Sequence, residues 1–365
     1  MSTSQPLSDR ERLDWLRLIR SDNVGPVTFG QLLRRFGSAA EALAALPDLA
    51  RRGGRKTVHV CSADAAEAEI DRLDAVDARL IARCEAEYPA GLAAVDDAPP
   101  LLAVRGQIEI LRQRSVGMVG ARNASANGIR FARQLATELG ASGLAVVSGL
   151  ARGIDAAAHR GSLSTGTVGV LAGGVDIVYP AENQGLYEEI VARGAVVSEM
   201  PPGLQPQARH FPQRNRIVAG ISLGVVVVEA ALKSGSLITA RLALEYGREV
   251  FAVPGSPLDP RARGSNDLLR QGAVLTESAD DVIQALGAPG GMAPMPAPVA
   301  TPQPTDSDVE SALATVLEKL GPAPTPVDEI IRQCHLPPPV IHMALLELEL
   351  AGRLTRHPGN LVSLT

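Results

Sequence analysis

Between residues 115 and 253, short apolar runs alternate with amphipathic stretches in a regular order. The runs 115–120, 144–148, 167–172, 195–198, 224–228 and 249–253 are rich in Val, Ala and Gly and nearly free of charge. Their length and continuous hydrophobicity fit strands covered on both faces. Between them, 124–139, 154–162, 182–193, 213–221 and 237–246 place apolar residues three and four apart and predict helices, with a shorter helix at 265–271. Strict alternation of this kind predicts an α/β fold. We expect a Rossmann-like, doubly wound, mainly parallel sheet with helices on both faces. Ligands on such sheets bind outside the carboxyl ends of the strands, near the point where the strand order reverses.

The flanks have a different periodicity. Residues 9–100 read as a helical domain. Leu13, Leu16 and Ile19 share one face of 10–20, Val24-Gly25-Pro26 breaks the pattern, and Leu32, Leu33 and Phe36 resume it up to Gly37. Helix, glycine-proline turn and helix give this domain helix-hairpin-helix character. Either the turn amides touch phosphates without reading sequence, or the shape is kept without the binding. The run Arg51-Arg52-Gly53-Gly54-Arg55-Lys56 is a basic, exposed loop or a second contact with DNA. Residues 288–305 are Pro/Ala-rich without charge or ring and read as an extended linker. The tail, 306–365, reads as a separate winged-helix domain: helices at 309–320, 326–333 and 338–351, then a hairpin of 352–354 and 361–364 around Pro358-Gly359. Its third helix carries Glu347 and Glu349 where a major-groove reader wants Arg or Asn. That favours protein contact or a degenerate DNA module. The expected domains are therefore 1–100, a Rossmann-like core at 101–287, the linker, and 306–365.

Composition narrows the class. With 45% apolar and 21% charged residues, the chain reads as a soluble globular protein of two or three domains. A net charge of −5 does not announce a nucleic-acid binder, so any polyanion site must be a local patch. Cys61, Cys84 and Cys334 are scattered without a C-x-x-C pair, which implies neither a zinc site nor a disulfide framework and fits a reducing cytoplasm. The polar start at 8–14 is not a signal peptide, and no apolar run is long enough to cross a bilayer. We therefore expect a cytoplasmic protein without membrane insertion.

The candidate chemistry gathers at strand ends. The stretch 209–220 packs Arg209, His210, Phe211, Arg214, Asn215 and Arg216 around Pro212, and no acidic residue occurs from Met200 through Val228. A cationic, ring-bearing turn suits a polyanion with flat bases. The plainer reading is an arginine-rich helix start that neutralises carbonyls. The first strand ends in Gly120-Ala121-Arg122, then Asn123-Ala124-Ser125, with no G-x-G-x-x-G and no G-K-[ST] anywhere. What remains is a glycine, an arginine and a helix N-terminus. The second strand leads into Gly149 and Arg152, then Asp155 and His159 on one helix face, either a metal or acid–base pair or, the reading we prefer, a structural pair. The third ends in Gly173-Gly174, read as clearance beneath a ligand, followed by Tyr179, which either packs or is exposed. After the fifth come Lys233, Ser234, Gly235 and Ser236 at a helix start, an anion site by type. Glu199 and Glu229, at the ends of strands four and five, are the plausible catalytic carboxylates, but no nucleophile, base or metal set accompanies them. No cofactor, metal or catalytic residue is assigned.

The motifs V-G-A-R-N-A-S, S-G-L-A-R-G-I-D-A-A-A-H, G-G-V-D-I-V-Y-P-A-E-N, S-E-M-P-P-G, H-F-P-Q-R-N-R-I-V-A-G, S-G-S-L-I-T-A and F-A-V-P-G-S, in this order from about residue 104 to 286, resemble the DNA-processing protein A family (DprA, also called Smf). The flanks fit that family's sterile-alpha-motif-like N-terminal domain and winged-helix C-terminal domain. The resemblance implies a homodimer that binds single-stranded DNA without sequence preference and loads the RecA recombinase onto it, in natural transformation or related recombination. It implies no catalysis. It makes Arg122 the phosphate-gripping arginine of a G-x-R turn, with Ala121 in place of a more usual hydroxyl residue. Phe211 becomes a stacking ring, and Arg214, Asn215, Arg216 and 233–236 line the groove. The competing class is a nucleotide-hydrolysing enzyme of the phosphoribohydrolase (lysine-decarboxylase-like) type. Its P-G-G-x-G-T-x-x-E signature is absent, and Gly235 and Glu245 are a loose echo of it. A scaffold acting mainly through the winged helix is the third reading.

Overall fold

The computed structural model describes residues 6–287, 306–357 and 359–365. The predicted linker and the hairpin tip at Pro358 lie outside them. Four helices come first: α1 (Asp9–Arg20), α2 (Pro26–Phe36), α3 (Ala39–Arg52) and α4 (Ala63–Asp74). Then follow β1 (Ala78–Ala82), α5 (Ala90–Ala93), β2 (Leu101–Gly106), β3 (Ser115–Gly120), α6 (Ala126–Ala141), β4 (Ala145–Ser148), α7 (Ile154–Ser162), β5 (Thr167–Val170), α8 (Gln184–Arg193) and β6 (Ala195–Ser198). The alternation continues with α9 (His210–Ile221), β7 (Gly224–Val228), α10 (Gly235–Glu245), β8 (Glu249–Ala252), α11 (Arg263–Arg270), β9 (Val274–Leu275) and α12 (Ala279–Leu286). The tail holds α13 (Asp306–Lys319), β10 (Thr325–Pro326), α14 (Val327–Cys334), α15 (Pro338–Leu350), β11 (Leu354–His357) and β12 (Leu361–Leu364).

The described chain divides into two compact units, one running from Glu69 through α12 and the other joining residues 7–68 to the tail. In the first, nine strands form one sheet in the order β1-β2-β6-β5-β4-β3-β7-β8-β9. Strands β3 to β9 are parallel, and β2 pairs antiparallel with both β1 and β6. The order reverses between β3 and β7, which places the switch point there. Helices α5, α9, α10 and α11 cover one face, where Leu92, Val218, Leu242 and Leu268 meet Val147 and Val227. Helices α6, α7, α8 and α12 cover the other, against Met118, Val226 and Val196. The doubly wound prediction therefore holds, but the boundary at residue 100 moves. Residues 78–106, expected in the helical domain and its border, supply two antiparallel strands. The sequence of β1, A-R-L-I-A, is too short and too rich in alanine to separate strand from helix by periodicity.

In the second unit, α1 starts in a capping box, with Ser8 and Glu11 satisfying each other's backbone groups. Gly37 ends α2 in the left-handed conformation (φ 79°). Strands β10, β12 and β11 form a small sheet beside α13, α14 and α15, the winged-helix arrangement the tail predicts. This tail is not a separate unit. Ile341, Leu345 and Leu348 of α15 face the tail's own core, whereas Leu346 and Leu350 are buried among Leu18, Phe29, Leu32 and Leu46 of the N-terminal helices. Among the described residues no helix is long and apolar enough to cross a membrane.

Candidate nucleic-acid interface

At the switch point the seat that a doubly wound sheet offers to a nucleotide phosphate is filled by the protein itself. Ser125 caps α6 and its Oγ accepts from the Gly128 amide (2.9 Å). The Ser125 amide donates to Glu229 (2.9 Å), and the Ser125 hydroxyl donates to the other carboxylate oxygen. Glu229 follows β7 in the left-handed region (φ 53°), and a Cβ at Gly128 would lie 2.7 Å from its carboxylate. A helix N-terminus attracts an anion, and here the anion is a side chain. Ser125, expected in the groove, is therefore committed internally, and so is Glu229. Gly120 likewise answers to the fold, because a Cβ there would stand 1.9 Å from the Val228 carbonyl and 2.7 Å from Ile154.

Of the five arginines expected at this site, Arg122, Arg152, Arg209, Arg214 and Arg216, two point inward. Arg214 is 6% exposed and donates to the Val170 carbonyl (3.1 Å). Burial pushes its basicity down, with the buried Asp155 carboxylate opposing. Gly149 makes room for it, since a Cβ would fall 1.4 Å from Arg214 Nη1. Arg216 is 8% exposed and donates to Glu199 and to the Asp97 carbonyl. Burial opposes its charge, but Glu199 and Asp97 win and hold its basicity above the ordinary value. The expected groove roles of Arg214 and Arg216 thus give way to structural ones. Residues two apart leave a helix on nearly opposite sides, but protein covers α9 on both, so Arg214 meets the Val170 carbonyl and Arg216 meets Glu199 and Asp97. Glu199, the other candidate carboxylate, is the partner of Arg216.

Asp155 and His159 both engage groups of the protein itself. Asp155 accepts from the Ala151 amide (3.3 Å), and burial raises its pKa. The His159 Nδ1 lies 2.7 Å from the Thr167 hydroxyl, which donates to the Val146 carbonyl (3.2 Å). With the Thr167 hydroxyl turned to Val146, Nδ1 is the donor in this pair, and burial pushes the His159 pKa down to about 3.

What the carboxyl edge exposes is a cation with two rings. The Arg122 guanidinium sits 5.2 Å from the centroid of Phe211, whose ring lies 5.7 Å from that of Tyr179 at 58°. Arg122 comes from the loop after β3, Tyr179 from the loop after β5, and Phe211 from the first turn of α9. Tyr179 is 49% exposed. Phe211, Tyr179 and Pro206 line a small cleft floored by Gly149, Gly173 and Arg214. A Cβ at Gly173 would come within 2.6 Å of the Leu204 carbonyl, so its clearance admits the 204–206 segment rather than a ligand. Arg152 and Arg209 are exposed nearby on the edge. Arg152 is loosely paired with Glu182 (3.5 Å), and Arg209 Nε lies 3.4 Å from His210 Nε2. After β7, Lys233 is exposed and Ser234 caps α10. The hydroxyls of Ser234 and Ser236 bond each other (2.7 Å), so these serines shape the turn, and Gly235 opens onto free space. Asn215 ties the turn to α9 by donating to the Gly235 carbonyl (3.3 Å). Tyr179 was not assigned from sequence. The signal was its place after the Gly173-Gly174 strand end, which did not separate packing from exposure. Among the described residues no three His, Cys, Asp or Glu side chains gather as a metal site.

Comparison with known proteins finds family matches along the chain. The family model described as DNA recombination-mediator protein A matches residues 79–287, beginning at β1 rather than near residue 104. Two further models, a DprA-like N-terminal HHH domain and a DprA winged helix domain, match 9–71 and 297–360. The chain is 39% identical to Protein Smf of Escherichia coli over 280 residues, 76% of this chain and 75% of that one. It is similar to the X-ray structure of DNA processing protein A from Streptococcus pneumoniae (TM-score 0.63, 33% identity), covering 76% of this chain and 98% of that one. A Helicobacter pylori DNA processing protein A structure, described for its single-stranded DNA binding mode, matches at TM-score 0.51 and 30% identity over 54% of this chain and 92% of its own.

Proposed function

The chain belongs to the DNA recombination-mediator protein A family, and from that footing we propose that the carboxyl edge of its sheet binds single-stranded DNA without sequence preference. The observation that supports this most is the contact of Arg122, Phe211 and Tyr179 on the exposed edge. A guanidinium answers a phosphate, and a half-exposed ring answers the face of any unpaired base. Held over Phe211, Arg122 loses little freedom when a phosphate arrives. Arg152, Arg209, Lys233 and the open turn at Gly235 extend the same edge with positive charge and backbone. Such a row suits a chain of phosphates better than a single nucleotide. The Helicobacter pylori relative's description, naming single-stranded DNA, points the same way.

The nucleotide-hydrolysing alternative is weakened by particular contacts. Its phosphate seat at α6 is taken by Glu229, and the remaining candidate carboxylate, Glu199, neutralises Arg216. We also propose, from family membership, that the protein acts as a homodimer and passes its strand to the RecA recombinase. Loading is read by RecA filament formation on protein-coated strands.

The test is a mobility shift with single- and double-stranded oligonucleotides. Wild type should favour the single strand. Arg122→Ala should weaken binding to all sequences alike and lower the slope of log affinity against log salt by about 0.7 for the lost phosphate contact. Unchanged binding by Arg122→Ala and Phe211→Ala would reject the edge as the site.

A further inference from the structure

The docking of α15 on the N-terminal helices engages two elements that elsewhere meet nucleic acid. The third helix of the winged helix is interior, with Leu346 and Leu350 fully buried and Glu347 1% exposed. Glu347 pairs with Arg52 (3.3 Å). The turn of the helical hairpin is engaged as well. Thr28, in the first turn of α2, donates to Glu349 (2.6 Å), which also takes Arg356 Nε (2.7 Å). Asn23, just before the turn, donates to the Leu350 carbonyl (3.0 Å).

The same docking assembles a basic ledge from both ends of the chain. Gly53 permits it, since a Cβ there would stand 2.1 Å from the Glu347 carbonyl. Arg353, at the entry to β11, then reaches the 51–56 loop and donates to the Gly53 carbonyl (3.4 Å). A Cβ at Gly54 would lie 3.4 Å from Arg353 Nη1, and one at Gly352 3.7 Å from Arg55 Nη1. Arg51, Lys56 and Arg353 are exposed. Arg51 and Arg55 have carboxylate neighbours in Asp48 (2.9 Å) and Asp22 (3.0 Å), surface pairs that a polyanion can replace at small cost. Lys56 and Arg353 have no carboxylate partner among the described residues.

We propose that this ledge is a second nucleic-acid site, one that grips the phosphate backbone of duplex DNA. Its residues carry charge and no ring, so it has nothing on which an unpaired base stacks, and phosphate contacts leave base pairs intact. An acidic protein would need apolar anchors. The large exposed hydrophobic residues, Ile129, Tyr179, Leu232, Leu244, Leu258 and Leu275, all lie in the other unit.

The experiment uses the full chain with Lys56→Glu and Arg353→Glu together, and the matching alanine pair as a milder version, each in wild-type and Arg122→Ala backgrounds. Binding of a short duplex should fall at least about tenfold with a salt slope lower by about 1.8, while single-strand binding in the wild-type background stays within about twofold. The melting temperature should not move in the alanine pair, which keeps the reading valid if the charge reversal disturbs folding. Duplex affinity and slope unchanged in both pairs would overturn the proposal. So would an equal loss on single strand and duplex, or loss of polyglutamate binding with duplex binding intact. Failure of Arg122→Ala to affect the single strand would count against the edge and leave the ledge result independent.

Discussion

Arginine serves opposite ends within a few residues of this sheet edge. Arg122 is exposed against a ring, whereas Arg214 and Arg216 are buried and hold strands, loops and a carboxylate together. Removing one partner of a buried ion pair leaves an uncompensated charge, so Arg216→Ala should cost about 3–5 kcal/mol of stability. Arg122→Ala should cost no more than about 0.5 kcal/mol. Chemical unfolding of both variants checks the contrast, and equal losses would contradict it. Phe211→Ala should instead weaken single-strand binding by about 1–3 kcal/mol, read by anisotropy. His159 supplies a pH signature. Its folded pKa lies near 3 against an ordinary 6.5, so the neutral form is favoured by folding. That contribution is complete above 6.5 and is lost as pH falls towards 3, at up to about 1.4 kcal/mol per pH unit. Asp155, raised by burial, acts with the opposite sign, so the readout is the difference between wild type and His159→Gln. The variant should show a shallower loss of stability over that window, and parallel curves would contradict the assignment. These separate fates were invisible in the sequence, which shows an acid-free arginine cluster but not which side chains turn inward.

At the scale of elements, apolar runs and helical spacing made the alternating β/α order legible, and with it the edge on which Arg122, Phe211 and Lys233 lie. Strands β1 and β2 were not legible, because short antiparallel additions to a buried sheet leave no alternation to read. Gly173, read as clearance beneath a ligand, accommodates protein atoms, and so do Gly120 and Gly149. Local sequence does not distinguish the two, because the close neighbour comes from elsewhere in the chain. The cap of α6 is the clearest example, since Ser125 and Glu229 are 104 residues apart. Glu229→Ala should strip the Ser125 amide of its acceptor and cost about 1–3 kcal/mol, while Glu229→Gln keeps an acceptor and costs less. Equal stability of the alanine variant and wild type would show that the cap is dispensable.

For the molecule as a whole, three domains in sequence become two units, because α15 lends one face to each end of the chain. Its hydrophobic pattern hinted at this: Leu346 and Leu350 are apolar positions beyond the stripe that the winged helix itself buries. Deleting 306–365 is therefore not a neutral test of the tail. It should expose Leu32 and Leu46 and speed hydrogen exchange in α1–α3, and unchanged protection there would contradict a shared core. The central claim concerns the other unit, where one guanidinium and two rings are proposed to meet an unpaired strand. Its most direct test is photo-crosslinking of an iodouracil-bearing single-stranded oligonucleotide, with the attachment site mapped by mass spectrometry. Crosslinks to Phe211 or Tyr179 that disappear in Arg122→Ala are the predicted result. Efficient crosslinking confined to other elements, unaffected by Arg122→Ala, would contradict the account.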